Sequence, residues 1–419
     1  MPTPDLEWRE EEVARYFTRG EFNPNSKDQI IAKMQDVGEM SRPGHKSKTN
    51  APSTDKTVIG RLASRHKFFR GLQSYRKASK VKSTYVNVLN AAVASPDGRM
   101  HPFLTHNTST WRMASYDPNI QNWPNDEDDP MTVALRNCVV AADGCTLVSA
   151  DYSSIEAVET GWWADDKDYI RLATRGVHSY LVAHKVGEPV DLSVSDDELA
   201  AHLADIKKRF KAQPVYAGLK KTVHLTNYGG TPYMMHMTAP ELFPSILSAQ
   251  KEQDFYLQLL PKLKPWHKSV RARAAQQNFL GGKDHPYKFK HWFWDVVAWN
   301  PKRNCMGPGS DWNRVIAYYP QSTASGVLMD TVLDLSDPAS ENYVGDLYYG
   351  DTPLRALIHD EILAEVPDPQ LPTYLERLRR SMLRPVHLQP IPPQWQMGSH
   401  LRIDADIRVG RSWGDMKAA

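Results

Sequence analysis

The sequence predicts an α+β protein, with strands and helices drawn from separate stretches of the chain. Two observations point to strands. The run CTLVSADYSSIEA reads as a strand over 146–150 that delivers Asp151 at its carboxyl end, followed by a helix start. The run LRALIHDEILAEVP reads as a tight hairpin, two apolar strands with His359 and Asp360 at the turn. A third observation points to helices. TVIGRLASRHKFFRGLQSYRKASKVKSTYV spaces its apolar residues helically with cations on the other face, and PVYAGLKKTVHLTNYGG opens at Pro214 and ends at Gly229 and Gly230.

At 419 residues the chain is long enough for two or three domains. Its apolar fraction of 41%, with 12 Trp, 18 Tyr and 11 Phe, supports a packed interior and excludes a disordered chain. No window approaches the ~18 uninterrupted apolar residues of a membrane span. The start, MPTPDLEWREEEV, is acidic and lacks the basic-then-apolar pattern of a signal peptide. Cys138, Cys145 and Cys305 form no CxxC pair and no disulfide framework, which points to a reducing intracellular compartment without structural zinc.

Charge is segregated. With 51 Lys and Arg against 49 Asp and Glu, the net charge is only +2, which excludes a wholly basic nucleic-acid binder but not a local patch. Residues 41–82 carry twelve Lys or Arg against the single acid Asp55. The first part of that segment, SRPGHKSKTNAPSTDK, reads as a loop. Taken alone its cations are a solvated helix face; beside another nucleic-acid signal they are a backbone-tracking surface. A second run (Lys207, Lys208, Arg209, Lys211, Lys220 and Lys221) contains no acid, and a looser basic cluster spans 262–290. The offsetting acids sit in NDEDD at 125–129 and in the stretch VDLSVSDDELAAHLAD, read as a loop and helix. This pattern suggests a cationic groove with an acidic exterior.

Asp151 and Asp360 are the first candidates for chemistry. A single Asp at a strand end is ordinarily a helix cap or a surface residue. Two of them closing apolar strands would cost free energy unless they met a cation or a strong donor. Brought together, they could hold two Mg²⁺ ions ~3.5–4 Å apart, the arrangement for in-line phosphoryl displacement. Lys220, His224 and Tyr228, at i, i+4 and i+8, drift by only about 40° per step and share one helix face. Such a face suits a polyphosphate and a base or sugar, or else is an amphipathic helix with a snorkelling Lys.

These stretches resemble family A DNA polymerases, the bacterial DNA polymerase I type. Asp151-Tyr152-Ser153-Ser154-Ile155-Glu156 resembles the first palm motif. The stretch 220–228 resembles the fingers helix for the incoming nucleotide, and His359-Asp360-Glu361 resembles the third motif. Pro320-Gln321-Ser322-Thr323-Ala324 is similar to the segment whose Gln reads the primer-template minor groove. Arg112-Met113-Ala114-Ser115-Tyr116-Asp117-Pro118-Asn119-Ile120-Gln121-Asn122 resembles the family's RxxSxDPNxQN stretch. Phe22-Asn23-Pro24-Asn25-Ser26 and Lys80-Val81-Lys82-Ser83-Thr84-Tyr85 look like thumb segments. The pieces follow the family's order from about residue 20 to the Trp413 region.

The resemblance implies a right-hand polymerase with an antiparallel palm sheet and a largely helical thumb and fingers. The thumb would be 1–105, the palm 106–160 and 301–419, and the fingers 161–300. It implies metal-binding carboxylates at Asp151 and Asp360 beside the Tyr152 carbonyl, with Glu361 completing the catalytic set. Two Mg²⁺ ions would be the cofactor, and Mn²⁺ could substitute. Ser154, Glu156, His178, Lys220, His224 and Tyr228 would surround the nucleotide, with Glu156 against the sugar 2′ position. Arg112, Gln321 and His359 would hold the primer terminus, and Lys80, Lys82, Asn119, Gln121 and Asn122 the DNA.

The implied function is template-directed DNA synthesis, with primer-template DNA and deoxynucleoside triphosphates as partners. The implied location is the cytoplasm of a bacterial cell, or of a host cell if the chain is phage-encoded. Because the resemblance begins almost at Met1, the expectation includes no proofreading exonuclease domain on this chain, with an exonuclease or accessory protein as a separate partner. A single-subunit RNA polymerase and an inactive primer-template binder are the rival readings. This chain also departs from the family pattern: Lys220 and His224 replace the usual Arg and Lys, and Ser154 replaces Gln. Pro232 stands where a Tyr is expected, with Tyr233 one place later.

Overall fold

The computed structural model describes residues 22–39, 52–125, 129–301, 304–349 and 352–419. The lead-in before residue 22, most of the loop expected at 41–56 and the middle of the acidic 125–129 run lie outside the described residues. The chain divides into two compact units, Met1–Met100 and His101–Ala419.

The first unit is helical. Helices Lys27–Asp36, Lys56–Ala63 and Lys67–Val81 pack around Ile30, Met34, Ile59, Leu62, Phe69 and Leu72. Ser26 and Asp55 start the first two, each accepting a backbone N–H of the first turn, from Gln29 and Val58. The helical pattern at 57–86 therefore splits into separate helices at 64–66. The break lets His66 and Arg65 reach the buried carboxylate of Glu39, at 3.2 and 3.7 Å. Lys67–Val81 then runs into a single π turn, Lys82–Val86, before helix Asn87–Val93. The extra residue of that turn re-aims the face that follows Lys80 and Lys82.

The second unit is built on a five-stranded antiparallel sheet: β1 (Cys145–Tyr152), β2 (Leu354–Ile358), β3 (Glu361–Pro367), β4 (Ala405–Gly410) and β5 (Lys417–Ala418), in the order β5-β4-β1-β3-β2. Alternation assigns the faces. Val148, Ala150 and Tyr152 of β1 pack with Ile362, Ala364 and Val366 of β3 against helices Ile155–Trp163, Arg314–Ser336 and Leu371–Met382. The opposite face carries the acids. Asp151 lies inside β1 and not past its end, because its backbone pairs with Glu361 on one side and Asp406 on the other. The predicted hairpin is β2–β3, joined through His359 and Asp360.

A second core lies among helices Val177–Lys185, Asp196–Phe210, Pro214–Asn227, Ile246–Leu259 and Leu263–Gln277, filled by Leu181, Leu203, Leu219, Tyr256 and Trp266. Two small hairpins follow, Phe279–Gly281 with Lys290–Trp292 and Val297–Asn300 with Cys305–Pro308. The mixed architecture, an antiparallel sheet with helices in separate stretches, is the predicted α+β class. Among the described residues, no helix is long and apolar enough to cross a membrane.

Candidate active site

The sheet register brings the acidic motifs together. Asp151 has Glu361 and Asp406 as cross-strand partners, and the backbone N–H of Tyr152 donates to the carbonyl of Asp360 at 3.4 Å. His359 takes the turn with φ 56°, a left-handed conformation uncommon for a residue with a Cβ, and stands exposed. The Asp151 carboxyl is pushed up to about 7. Desolvation by the crowded cleft contributes most, then the charges of Asp360, Glu361 and Asp406, with Arg408 opposing them. This row of carboxylates is short of positive charge.

Arg112 supplies part of it. Its guanidinium donates to Glu156 and lies 3.3 Å from an Asp360 carboxylate oxygen. Its segment is fastened by Ser325 Oγ donating to the Trp111 carbonyl at 2.7 Å and Thr108 Oγ1 donating to the Arg112 carbonyl at 2.9 Å. Glu361 accepts from Ser149 Oγ at 2.5 Å and from Trp413 Nε1 at 3.2 Å. Tyr152 turns its side chain into the core, its hydroxyl 2.6 Å from Thr331 Oγ1, so any part it takes falls to its backbone carbonyl.

Among the described residues, no three His, Cys, Asp or Glu side chains are arranged to hold a metal ion by themselves. Mg²⁺ does not require that, since it commonly keeps water and substrate phosphates beside one or two carboxylates. Asp151 and Asp360 fit this donor set, and the raised carboxyl of Asp151 marks the charge a cation would neutralise.

The helix Pro214–Asn227 carries Lys220 and His224 on its exposed side, with Tyr228 capping its end and its ring 5.7 Å from that of His224. Gly229, at φ 70°, turns the chain out of the helix. Its N–H donates to Thr226 and that of Gly230 to Leu225, at 2.9 and 2.7 Å, which closes a Schellman motif. A Cβ on Gly229 would come within 2.6 Å of the Arg271 guanidinium. Thr231 then caps a new helix, Pro232–Thr238, so Pro232 starts a helix where the family pattern has a Tyr, and Tyr233 is 55% exposed.

His178 is held near the same corner. Its pKa falls to about 4 through burial, then through the charges of Lys220, Lys207 and His224. His224 is likewise lowered by desolvation, then by the charges of Lys221 and Lys220.

The remaining sequence-predicted residues divide. Asn119 spends its side-chain oxygen on the backbone N–H of Asn122 at 3.1 Å, and Gln121 donates to the Leu357 carbonyl of β2 at 3.3 Å. Ser154 sits exposed at φ 54° before helix Ile155–Trp163, with no capping bond. Gln321 is half-buried beside Pro320 inside Arg314–Ser336. Lys80 and Lys82 belong to the first unit. Sequence reading passed over Asp406, Arg408 and Trp413, which line the cavity over the carboxylate row with Arg136. The alternation in IDADIRVG could have found the first two.

Comparison with known proteins identifies the family. The model of DNA polymerase family A matches residues 4–415. The thermostable DNA polymerase I of Thermus aquaticus is 29% identical over 264 residues, 62% of this chain and 29% of that protein. The DNA polymerase I of Treponema pallidum is 25% identical over 400 residues, 94% of this chain and 35% of that protein. The chain thus spans about a third of the length of these curated relatives. The POL domain of Pol1 from M. smegmatis, solved with DNA primer-template and dNTP, shares the fold with a TM-score of 0.72 at 20% identity, covering 98% of this chain and 65% of that one. A family pattern that runs through both units and both acidic strands leaves one assignment: the chain belongs to DNA polymerase family A.

Proposed function

We propose that this chain is a template-directed DNA polymerase that adds deoxynucleotides to a primer 3′ end and releases pyrophosphate. The observation that carries the reading is the cross-strand row of Asp151, Glu361 and Asp406 beside Asp360, with the Asp151 carboxyl raised to about 7. Two divalent ions held by Asp151, Asp360 and the Tyr152 carbonyl would lower the pKa of the primer 3′ hydroxyl and offset charge on the leaving pyrophosphate. Glu361, fixed by Ser149 and Trp413, adds to the field of the row.

Arg112 bridges Asp360 and Glu156 and so stands where a primer terminus would meet the carboxylates. Glu156 presents its carboxylate to the sugar 2′ position. Lys220, His178 and His224 meet the triphosphate in this reading; before it binds, burial and the neighbouring lysines hold both imidazoles below their ordinary range. In this reading the thumb is 1–105, the palm 106–160 and 301–419, and the fingers 161–300. Primer extension with Mg²⁺, omitting each nucleotide in turn, tests it. Extension that halts at the template position of the omitted base supports the proposal; no extension, or extension indifferent to template sequence, overturns it.

A further inference from the structure

The hairpin Phe279–Gly281 with Lys290–Trp292 has two unlike faces. On one, Phe289 stacks on Trp111 with ring centroids 4.9 Å apart, and Phe293 packs against Tyr318 at 5.7 Å. That face fastens the hairpin to the residue preceding Arg112. The alternate residues Lys290, Trp292 and Trp294 point the other way, to solvent. Trp292 is 45% exposed and Trp294 is 73% exposed, and their indoles are parallel within 1° at 5.2 Å. Phe279, the cross-strand partner of Trp292, continues the row at 5.1 Å. The Lys290 ammonium lies over both rings, 3.9 Å from Phe279 and 4.3 Å from Trp292. Its own cross-strand partner is Gly281.

Two large indoles left in water call for an occupant. The surrounding charge says which kind. Residues 279–295 carry Lys283, Lys288 and Lys290 against Asp284, which is paired with Arg273 at 3.8 Å, and Asp295, which accepts from the Ser310 N–H at 2.7 Å. We propose that the Lys290–Trp292–Trp294 row, with Phe279, is a stacking platform for single-stranded DNA. An unpaired base stacks on the outer face of Trp294, which Trp292 and Lys290 back in turn, while the lysines follow the phosphates, a pairing of rings and cations suited to a strand with no duplex partner. Which strand it takes rests on the polymerase reading: the unpaired template ahead of the site.

The test uses the full chain and three labelled probes followed by fluorescence anisotropy: an oligothymidine, a blunt duplex, and a duplex with an unpaired 5′ overhang. Trp292→Ala and Trp294→Ala are each expected to weaken binding of the oligothymidine and the overhang duplex about tenfold, with the blunt duplex unchanged. Trp294→Phe retains a ring and should retain binding. Lys290→Gln should lower the salt slope for the oligothymidine by about 0.7. Unchanged melting temperatures show that the variants fold, as the exposure of both indoles leads one to expect. Equal weakening on the blunt duplex overturns the platform, and so does no weakening on any probe, which would leave the face to a protein partner. Ring-dependent oligothymidine binding without primer extension would sink the polymerase reading alone; extension with ring-independent binding would sink only the platform.

Discussion

Replacing Glu159 with Gln is expected to remove most of one pH dependence from the stability of the second unit. Glu159 is 0% exposed, one turn beyond Glu156 on the helix behind β1. One carboxylate oxygen accepts from Gln389 Nε2 at 2.6 Å; the other, like the side-chain oxygen of Gln389, has no partner among the described residues. A proton on Glu159 is the donor those two oxygens lack. Burial accordingly pushes its pKa from 4.5 to about 8, against a weaker pull from the Gln389 bond. The folded pKa lies above the unfolded one. The contribution to stability is therefore fully present below pH 4.5, shrinks as pH rises and is lost through pH 8. Each pH unit in that window costs about 1.4 kcal/mol, so wild type loses roughly 3 kcal/mol between pH 5 and 7 from this group. The Gln variant has no proton to lose and escapes that decline. Urea unfolding of both proteins at pH 5, 6, 7 and 8, followed by tryptophan fluorescence, measures the difference. Parallel curves of stability against pH for wild type and variant would refute the neutral buried acid.

Three further outcomes test the site. Asp360→Asn removes a charge from a row that must offset two divalent cations, so extension should fall by orders of magnitude while DNA binding persists; more than about a tenth of wild-type extension would sink the assignment. Glu156→Ala should admit ribonucleotides with little gain for deoxynucleotides, read as the ratio of ATP to dATP incorporation; an unchanged ratio would place the sugar elsewhere and reopen the RNA polymerase reading. Neutralising Lys80 and Lys82 together should lower the salt slope of duplex binding by about one unit per lost phosphate contact, equally across sequences, whereas an unaltered slope would make this π-turn segment a solvated face.

Much of the protein was legible along the chain because the signals are local. Pro214 and the Gly229-Gly230 pair mark both ends of a helix by backbone chemistry alone, since proline lacks the N–H an opening turn leaves unpaired and glycine takes the left-handed exit. The β2–β3 hairpin was equally plain, two apolar runs flanking two polar residues. What the sequence could not supply was adjacency. Asp151 and Asp360 lie 209 positions apart, and Asp406 in a strand that passed unnoticed; only the register of β1 between β3 and β4 makes one row of them, and only that crowding raises the Asp151 carboxyl. The same holds for Arg112 on Asp360, for His178 beside Lys220, and for Glu159, which only the fold buries against Gln389. Propensity and capping act over a few residues, so sequence marks an element's end where a proline, a glycine or a cap stands; electrostatics and burial act between elements, so their consequences exist only once the chain has folded.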